Sequence, residues 1–185
     1  MTSPLDSTVV GHPVSQSWSP FIHGLFARQT DQALTYRLYD IAPAQFRGEV
    51  LEFFAHGGRG LNVTVPHKEA AADLANELSA RAERAGAVNT LMLQGDHHLI
   101  GDNTDGAGLV RDLERNLRVP VADRRILILG AGGAARGVLG PLLDLQPAEL
   151  VLANRGADRA INLATLFADL GAVRGCGFAD LSGEP

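Results

Sequence analysis

The chain has 185 residues, 45% of them hydrophobic, and a net charge of −5. That balance suits one globular domain or two small ones with a sizeable core and argues against disorder. It argues against nucleic acid or an anionic membrane as partner, and no apolar run reaches the ~20 residues of a membrane span.

The opening MTSPLDSTVV has neither a basic start nor an apolar stretch, so no signal peptide is expected there. A short strand near Thr8-Val9-Val10 leads into the loop GHPVSQSWSP. Ser19-Pro20 then opens a helix as N-cap and first turn, with Phe21, Ile22, Leu25 and Phe26 on its buried face. LTYRLY (34–39) alternates as a strand, and the next helix buries Phe46, Val50, Phe53 and Phe54 at helical spacing. Leu61, Val63 and Val65 alternate with Asn62 and Thr64, which gives a strand with one apolar and one hydrogen-bonding face. Pro66 ends that strand and an alanine-rich helix follows. AVNTLMLQGDHHLIG reads as a hairpin turning at Gly95-Asp96. His97-His98 belongs to that turn, and none of the six histidines has metal-ligand spacing.

DNTDGAGLVRDLERNL gives a further helix over 106–117, with Leu109, Leu113 and Leu117 in register. The texture then changes near Val119-Pro120. RRILILG is a continuous apolar strand, typical of a buried parallel sheet. A domain boundary is expected around 103–120, with the 106–117 helix as its hinge. Strands near 149–154 and 172–178 complete an alternating α/β pattern. The single cysteine, Cys176, leaves no internal disulfide and fits a reducing cytoplasm.

Two stretches carry chemistry. The strand 125–129 runs into GAGGAARG, in which Gly130-x-Gly132-x-x-Ala135 matches the dinucleotide fingerprint between a buried strand and a helix. The glycines permit a tight turn and a close approach of backbone to pyrophosphate, and the helix start offers N–H groups to phosphate. Gly130, Ala131, Gly132, Gly133 and Ala134 are therefore the candidate cofactor loop. Where an NAD site has an acidic residue, this chain has Asn154, Arg155 and Arg159, and guanidinium groups suit the 2′-phosphate of NADP. Pro141 is expected to interrupt the helix that follows. The second stretch is NVTVPHKE (62–69), which sets Lys68 at the mouth of a strand-to-helix turn beside the polar face. Open α/β sheets place ligands at such turns.

Taken with SQSWSPFIH, GAVNT and GDNTDG, these motifs resemble those of the shikimate dehydrogenase family, in order and spacing along the whole chain. The resemblance implies NADP-linked reduction of 3-dehydroshikimate to shikimate, in aromatic amino acid biosynthesis. It implies an N-terminal α/β substrate domain over 1–104 and a Rossmann-type NADP-binding domain over 105–185. It further implies that Lys68 and Asp105 flank the reacting oxygen, that Ser17 and Ser19 bind the substrate carboxylate, and that Thr64 and Asn89 hold the carboxylate or ring hydroxyls. From the residues alone, Ser19, Asp105 and Asn89 have plainer readings as helix caps or a strand hydrogen bond. Lys68 either exchanges the proton or stays charged and polarises the oxygen while Asp105 orients it.

Two departures accompany the resemblance. Gly156 replaces the hydroxyl residue that usually follows Asn-Arg, and the chain closes on DLSGEP where the family's Rossmann unit continues. An incomplete Rossmann domain is therefore expected, open to self-association through its exposed sheet edge. A quinate-type dehydrogenase and a non-catalytic binding fragment are the alternative readings.

Overall fold

The computed structural model describes residues 5–181. The first four residues of the N-terminal stretch and the last four of the closing DLSGEP lie outside them. The chain divides into two compact units, Met1–Asn103 and Thr104–Pro185.

The first unit runs β1 (Leu5–Gly11), α1 (Ser19–Gln29), β2 (Leu34–Asp40), α2 (Phe46–Ala55), β3 (Gly60–Val63), α3 (Lys68–Leu74), β4 (Glu77–Leu78), α4 (Ala80–Ala85), β5 (Thr90–Gln94) and β6 (His98–Asp102). Its sheet has the order β2-β1-β3-β5-β6-β4. β1 lies parallel to β2 and β3, while β5 is antiparallel to β3 and β6. Strand alternation sends Val10, Leu61, Val63 and Leu91 to one face, where they meet Phe46, Val50, Phe53 and Phe54 of α2. Tyr36, Asn62 and Thr90 are out of phase with those residues and occupy the opposite face.

Several expectations change. The apolar stripe of α1 is not buried: Phe21 is 59% and Phe26 53% exposed, and Ile22 and Leu25 are exposed as well. The helix meets β2 through His23, whose ring stacks on Tyr36 at 4.1 Å, and this turns Phe21 and Leu25 outward. Ser19 is the first helical residue rather than the N-cap, and the Oγ of Ser17 accepts its N–H at 3.2 Å. The alanine-rich stretch is two helices, α3 and α4, parted by β4. Asn76 forces the break by donating its N–H to the Leu99 carbonyl and accepting the Leu99 N–H at its side chain, both at 2.8 Å. The hairpin forms as expected, with Gln94 opposite His98 and Gly95 at φ +62°.

The second unit runs α5 (Asp105–Arg111), a π-helical extension (Asp112–Leu117), β7 (Arg125–Leu129), α6 (Gly133–Leu143), β8 (Glu149–Asn154), α7 (Ala157–Leu166) and β9 (Val173–Gly177). The three strands form a parallel sheet in the order β7-β8-β9. This is the strand–helix alternation of a Rossmann-type unit. β8 is central and its Leu150, Val151, Leu152 and Ala153 are buried. Gly175 of β9 passes so close beneath α7 that an added Cβ would stand 2.3 Å from the Ala160 backbone.

β7 is less buried than its sequence suggests. Among the described residues it pairs only with β8, so Ile126, Leu127 and Ile128 are half-buried and Leu129 is 67% exposed. An apolar groove of about 760 Å³ runs beside it, lined by Leu109, Leu113, Val119, Ile128 and Leu142. The π-helical widening also breaks the expected leucine register. Leu113 packs on the core while Leu117 is exposed.

Pro141 does not interrupt α6, which continues to Leu143. The proline withholds the hydrogen bond that the Gly137 carbonyl would accept. Gly106 of α5 fits against that site: a Cβ there would lie 2.4 Å from the Gly137 oxygen and 2.6 Å from Pro141 Cγ. Pro141 thus has a packing role between two helices of the second unit.

Candidate active site

NVTVPHKE folds as a strand end, a turn and a helix start. Thr64 donates its N–H to the Val10 carbonyl at 2.8 Å, and His67 donates its own to the Thr64 carbonyl at 2.9 Å. Val65-Pro66 is a cis peptide, and α3 begins at Lys68. The histidine before the lysine is a core strut. Its ring stacks on Phe46 at 4.6 Å and its Nε2 lies 2.7 Å from the Ile41 carbonyl. Burial holds the His67 pKa below its ordinary value and favours the neutral ring. Glu69 stands in the first turn of α3, where the helix dipole favours an acid. Lys68 itself is 8% exposed, unusually low for a lysine.

Main-chain bonds draw the other motifs to this corner. Val88 donates to the Lys68 carbonyl at 2.8 Å, Val63 to the Asn89 carbonyl at 2.7 Å, and Asn89 to the Asp102 carbonyl at 3.0 Å. Asp102 is then clamped by its side chain. It accepts the Ser79 hydroxyl at 2.6 Å, the Asn103 N–H at 2.8 Å and a two-pronged pair from Arg81. Arg81 is the chief reason that the Asp102 carboxyl is lowered to about 2. Asn103 is buried and donates to the Ala87 carbonyl at 2.9 Å. Asn103, the last residue of the first unit, is thus fastened to GAVNT.

The loop before α1 is held from β2. The carboxylate of Asp40 pairs with His12 Nδ1 at 2.6 Å and accepts the Val14 N–H at 3.3 Å. Gly11 is steric in origin, since a Cβ there would come within 2.6 Å of Thr64 Cγ2. Side chains on the polar face then join into one network. Ser17 donates to Ser19 at 3.0 Å, Ser19 bonds the Tyr36 oxygen, and Tyr36 donates to Asn62 Oδ1 at 2.6 Å. Asn62 Nδ2 donates to Thr90 at 3.3 Å, and Thr90 to Asn89 Oδ1 at 2.9 Å. Ser17, Ser19 and Asn89 are sequence candidates, whereas Tyr36, Asn62 and Thr90 were not among them. Asn62 lay on the polar face read from the alternation, but its partners depend on strand register. Asp105 belongs to the second unit, as the first residue of α5.

The glycine turn joins β7 to α6. Gly130 has φ +112°, which favours glycine strongly. A Cβ on Gly132 would meet nothing within 4 Å, so the missing side chain leaves open space before the first turn of α6. Ala131 is buried beneath the turn, Gly133 starts the helix and Ala134 is exposed. At the end of β8, Asn154 donates to the Gly156 carbonyl at 3.1 Å, and Arg155 and Arg159 are exposed beside it. An open glycine cradle at a helix start, with two guanidinium groups at the next strand end, fits a phosphorylated dinucleotide.

Residues 9–91 match the family described as the shikimate dehydrogenase substrate binding domain. The chain is 55% identical over 184 residues to the NADP(+) shikimate dehydrogenase of Methylococcus capsulatus, covering 100% of this chain and 66% of that protein. The chain belongs to the shikimate dehydrogenase family. The enzyme of the same name from Aeromonas hydrophila is 58% identical over 176 residues, 95% of this chain and 64% of its own. The solved Thermus thermophilus shikimate 5-dehydrogenase, in complex with NADP(H) and shikimate, superposes with a TM-score of 0.81. It is 34% identical and the match covers 91% of this chain and 62% of that one. The chain therefore spans just under two thirds of the length of these family members.

Proposed function

We propose that the first unit binds shikimate and 3-dehydroshikimate, that the second binds NADP, and that the protein interconverts the two acids. The observation that carries this reading is the hydrogen-bonded set from Ser17 to Asn89 in the unit that also carries the buried Lys68. Two adjacent serine hydroxyls suit a carboxylate, and Thr64 and Asn89 suit the carboxylate or the ring hydroxyls. The cofactor, when bound, supplies hydride chemistry to a secondary alcohol or its ketone. Residues 130–134 hold its pyrophosphate, and Asn154, Arg155 and Arg159 receive its 2′-phosphate. Lys68 holds or moves the proton at the substrate oxygen, and Asp105 orients that oxygen and balances the ammonium charge.

The test is isothermal calorimetry with shikimate and with NADP+ beside an NADP+-linked shikimate oxidation assay. The 185-residue chain is expected to bind, and its turnover to fall below that of relatives that carry a further third of their length. Absence of heat with both ligands at millimolar concentration ends this reading. The setting is cytoplasmic on the same reading, with Cys176 buried and reduced on β9. No described helix is long and apolar enough to cross a membrane. The apolar edge of β7 is also the site through which this chain associates with itself.

A further inference from the structure

The bonds between Ser17 and Asn89 run in one direction. Hydrogens point from Ser17 to Ser19, Tyr36, Asn62, Thr90 and finally Asn89, crossing β2, β3 and β5 on the polar face. The strand register makes this path possible, because Tyr36 lies opposite Ser7 and Asn62 opposite both Val9 and Thr90. Tyr36 is the link at which direction is set. Its single O–H is committed to Asn62 Oδ1, so its oxygen must accept from Ser19. Burial raises its pKa well above the ordinary tyrosine value, so the phenol keeps that proton across the working range.

An asparagine amide can turn over by half a rotation and exchange its donor and acceptor ends. At Asn62 such a turn would require the whole chain to reverse, because Tyr36 donates to Oδ1 at 2.6 Å and accepts from Ser19. Asn62 Nδ2 must then face Thr90, whose hydroxyl is left to donate to Asn89 Oδ1. The Asn89 amide therefore presents its N–H end away from Thr90. At the other end, an anion reaching Ser17 and Ser19 draws the Ser19 hydrogen toward itself and away from Tyr36. Hydrogen bonds in such a chain polarise one another.

We propose that Tyr36 is a positioning residue that couples carboxylate recognition at Ser17 and Ser19 to hydroxyl recognition at Asn89, an inference that rests on the shikimate reading of this site. Tyr36→Phe keeps the ring that stacks on His23 and removes only the link. Loss of one such bond should weaken shikimate binding by roughly 5- to 10-fold. Two measurements go beyond a general weakening. Calorimetry in the unmodified chain should show that Ser19→Ala and Thr90→Val affect shikimate binding non-additively, and the two should become additive in the Tyr36→Phe background. The side-chain amide resonances of Asn62 and Asn89 in ¹⁵N spectra should shift in Tyr36→Phe with no ligand present. Coupling that survives Tyr36→Phe, or an Asn89 amide that does not move, overturns the proposal. Failure of the unmodified chain to bind shikimate overturns the site reading and the coupling with it. That failure is told apart because the amide resonances are read without ligand.

Discussion

The Nε2 of His67 donates to the carbonyl of Ile41 at 2.7 Å, joining two residues 26 positions apart in the chain. The bond fixes the tautomer, and the stacking of His67 on Phe46 fixes the ring. Protonation would put a charge where the side chain is almost fully buried, near His12 and Asp40. The folded pKa therefore lies below the ordinary value of ~6.5. The stability that depends on a neutral ring is complete above that value and is lost as pH falls through the lowered one. The urea midpoint should decline below pH ~6.5 and should decline less in His67→Phe. An unchanged slope in that variant would assign the decline to other groups.

Lys68 should be needed for the chemical step. In a protein of the family's full length, Lys68→Ala should reduce kcat by at least about 100-fold with a far smaller change in KM. A loss confined to KM would make it a binding residue only. Asp105→Asn should also lower turnover, and normal turnover there would return Asp105 to a helix-start role on α5.

Cofactor choice should follow the two arginines after β8. A protein of the family's full length that carries this chain should prefer NADP+ to NAD+, and Arg155→Ala with Arg159→Ala should erode that preference by roughly 10- to 100-fold. Gly156 has an ordinary φ of −93° and a Cβ there would touch only Asn154 Nδ2, at 3.9 Å. Gly156→Thr should therefore be tolerated and should strengthen NADP+ binding. Equal kcat/KM for the two cofactors in the unmodified protein would sink the assignment.

The edge of β7 should govern association of the 185-residue chain. Light scattering after size exclusion should show species heavier than a monomer, and Leu129→Lys should shift them toward monomer. A charged side chain on an exposed strand end opposes pairing with another chain. A uniformly monomeric unmodified chain would refute the idea.

Local pattern made most of the elements legible. Period-two alternation found β3 and the hairpin, and helical spacing found the buried face of α2 because those signals lie within a few residues of one another. What sequence could not show depended on distant partners. Phe21 and Leu25 read as buried because their spacing is helical, but the face a helix buries depends on what it meets, and α1 meets β2 through His23. Tyr36 and Asn62 come together only through the register of three parallel strands. The split of the alanine-rich stretch came from one asparagine bracketing Leu99, 23 residues later in the chain. Lys68 was conspicuous for its place at a strand-to-helix turn, whereas His67 beside it could be read as a strut only once Ile41 and Phe46 were in place.

The close fit of α5 on α6 has a consequence for how this chain can diverge. The tightest approach to Gly106 comes from the Gly137 carbonyl, which is main chain and present whatever the side chains become. Exchanging Pro141 for leucine would restore the amide that this carbonyl lacks, yet would leave it in the same place. In a saturation library the two positions should therefore behave unequally: several residues should survive selection at 141, while 106 should return glycine alone. A variant carrying alanine at 106 would have to move a whole helix, which no single compensating side chain can accomplish.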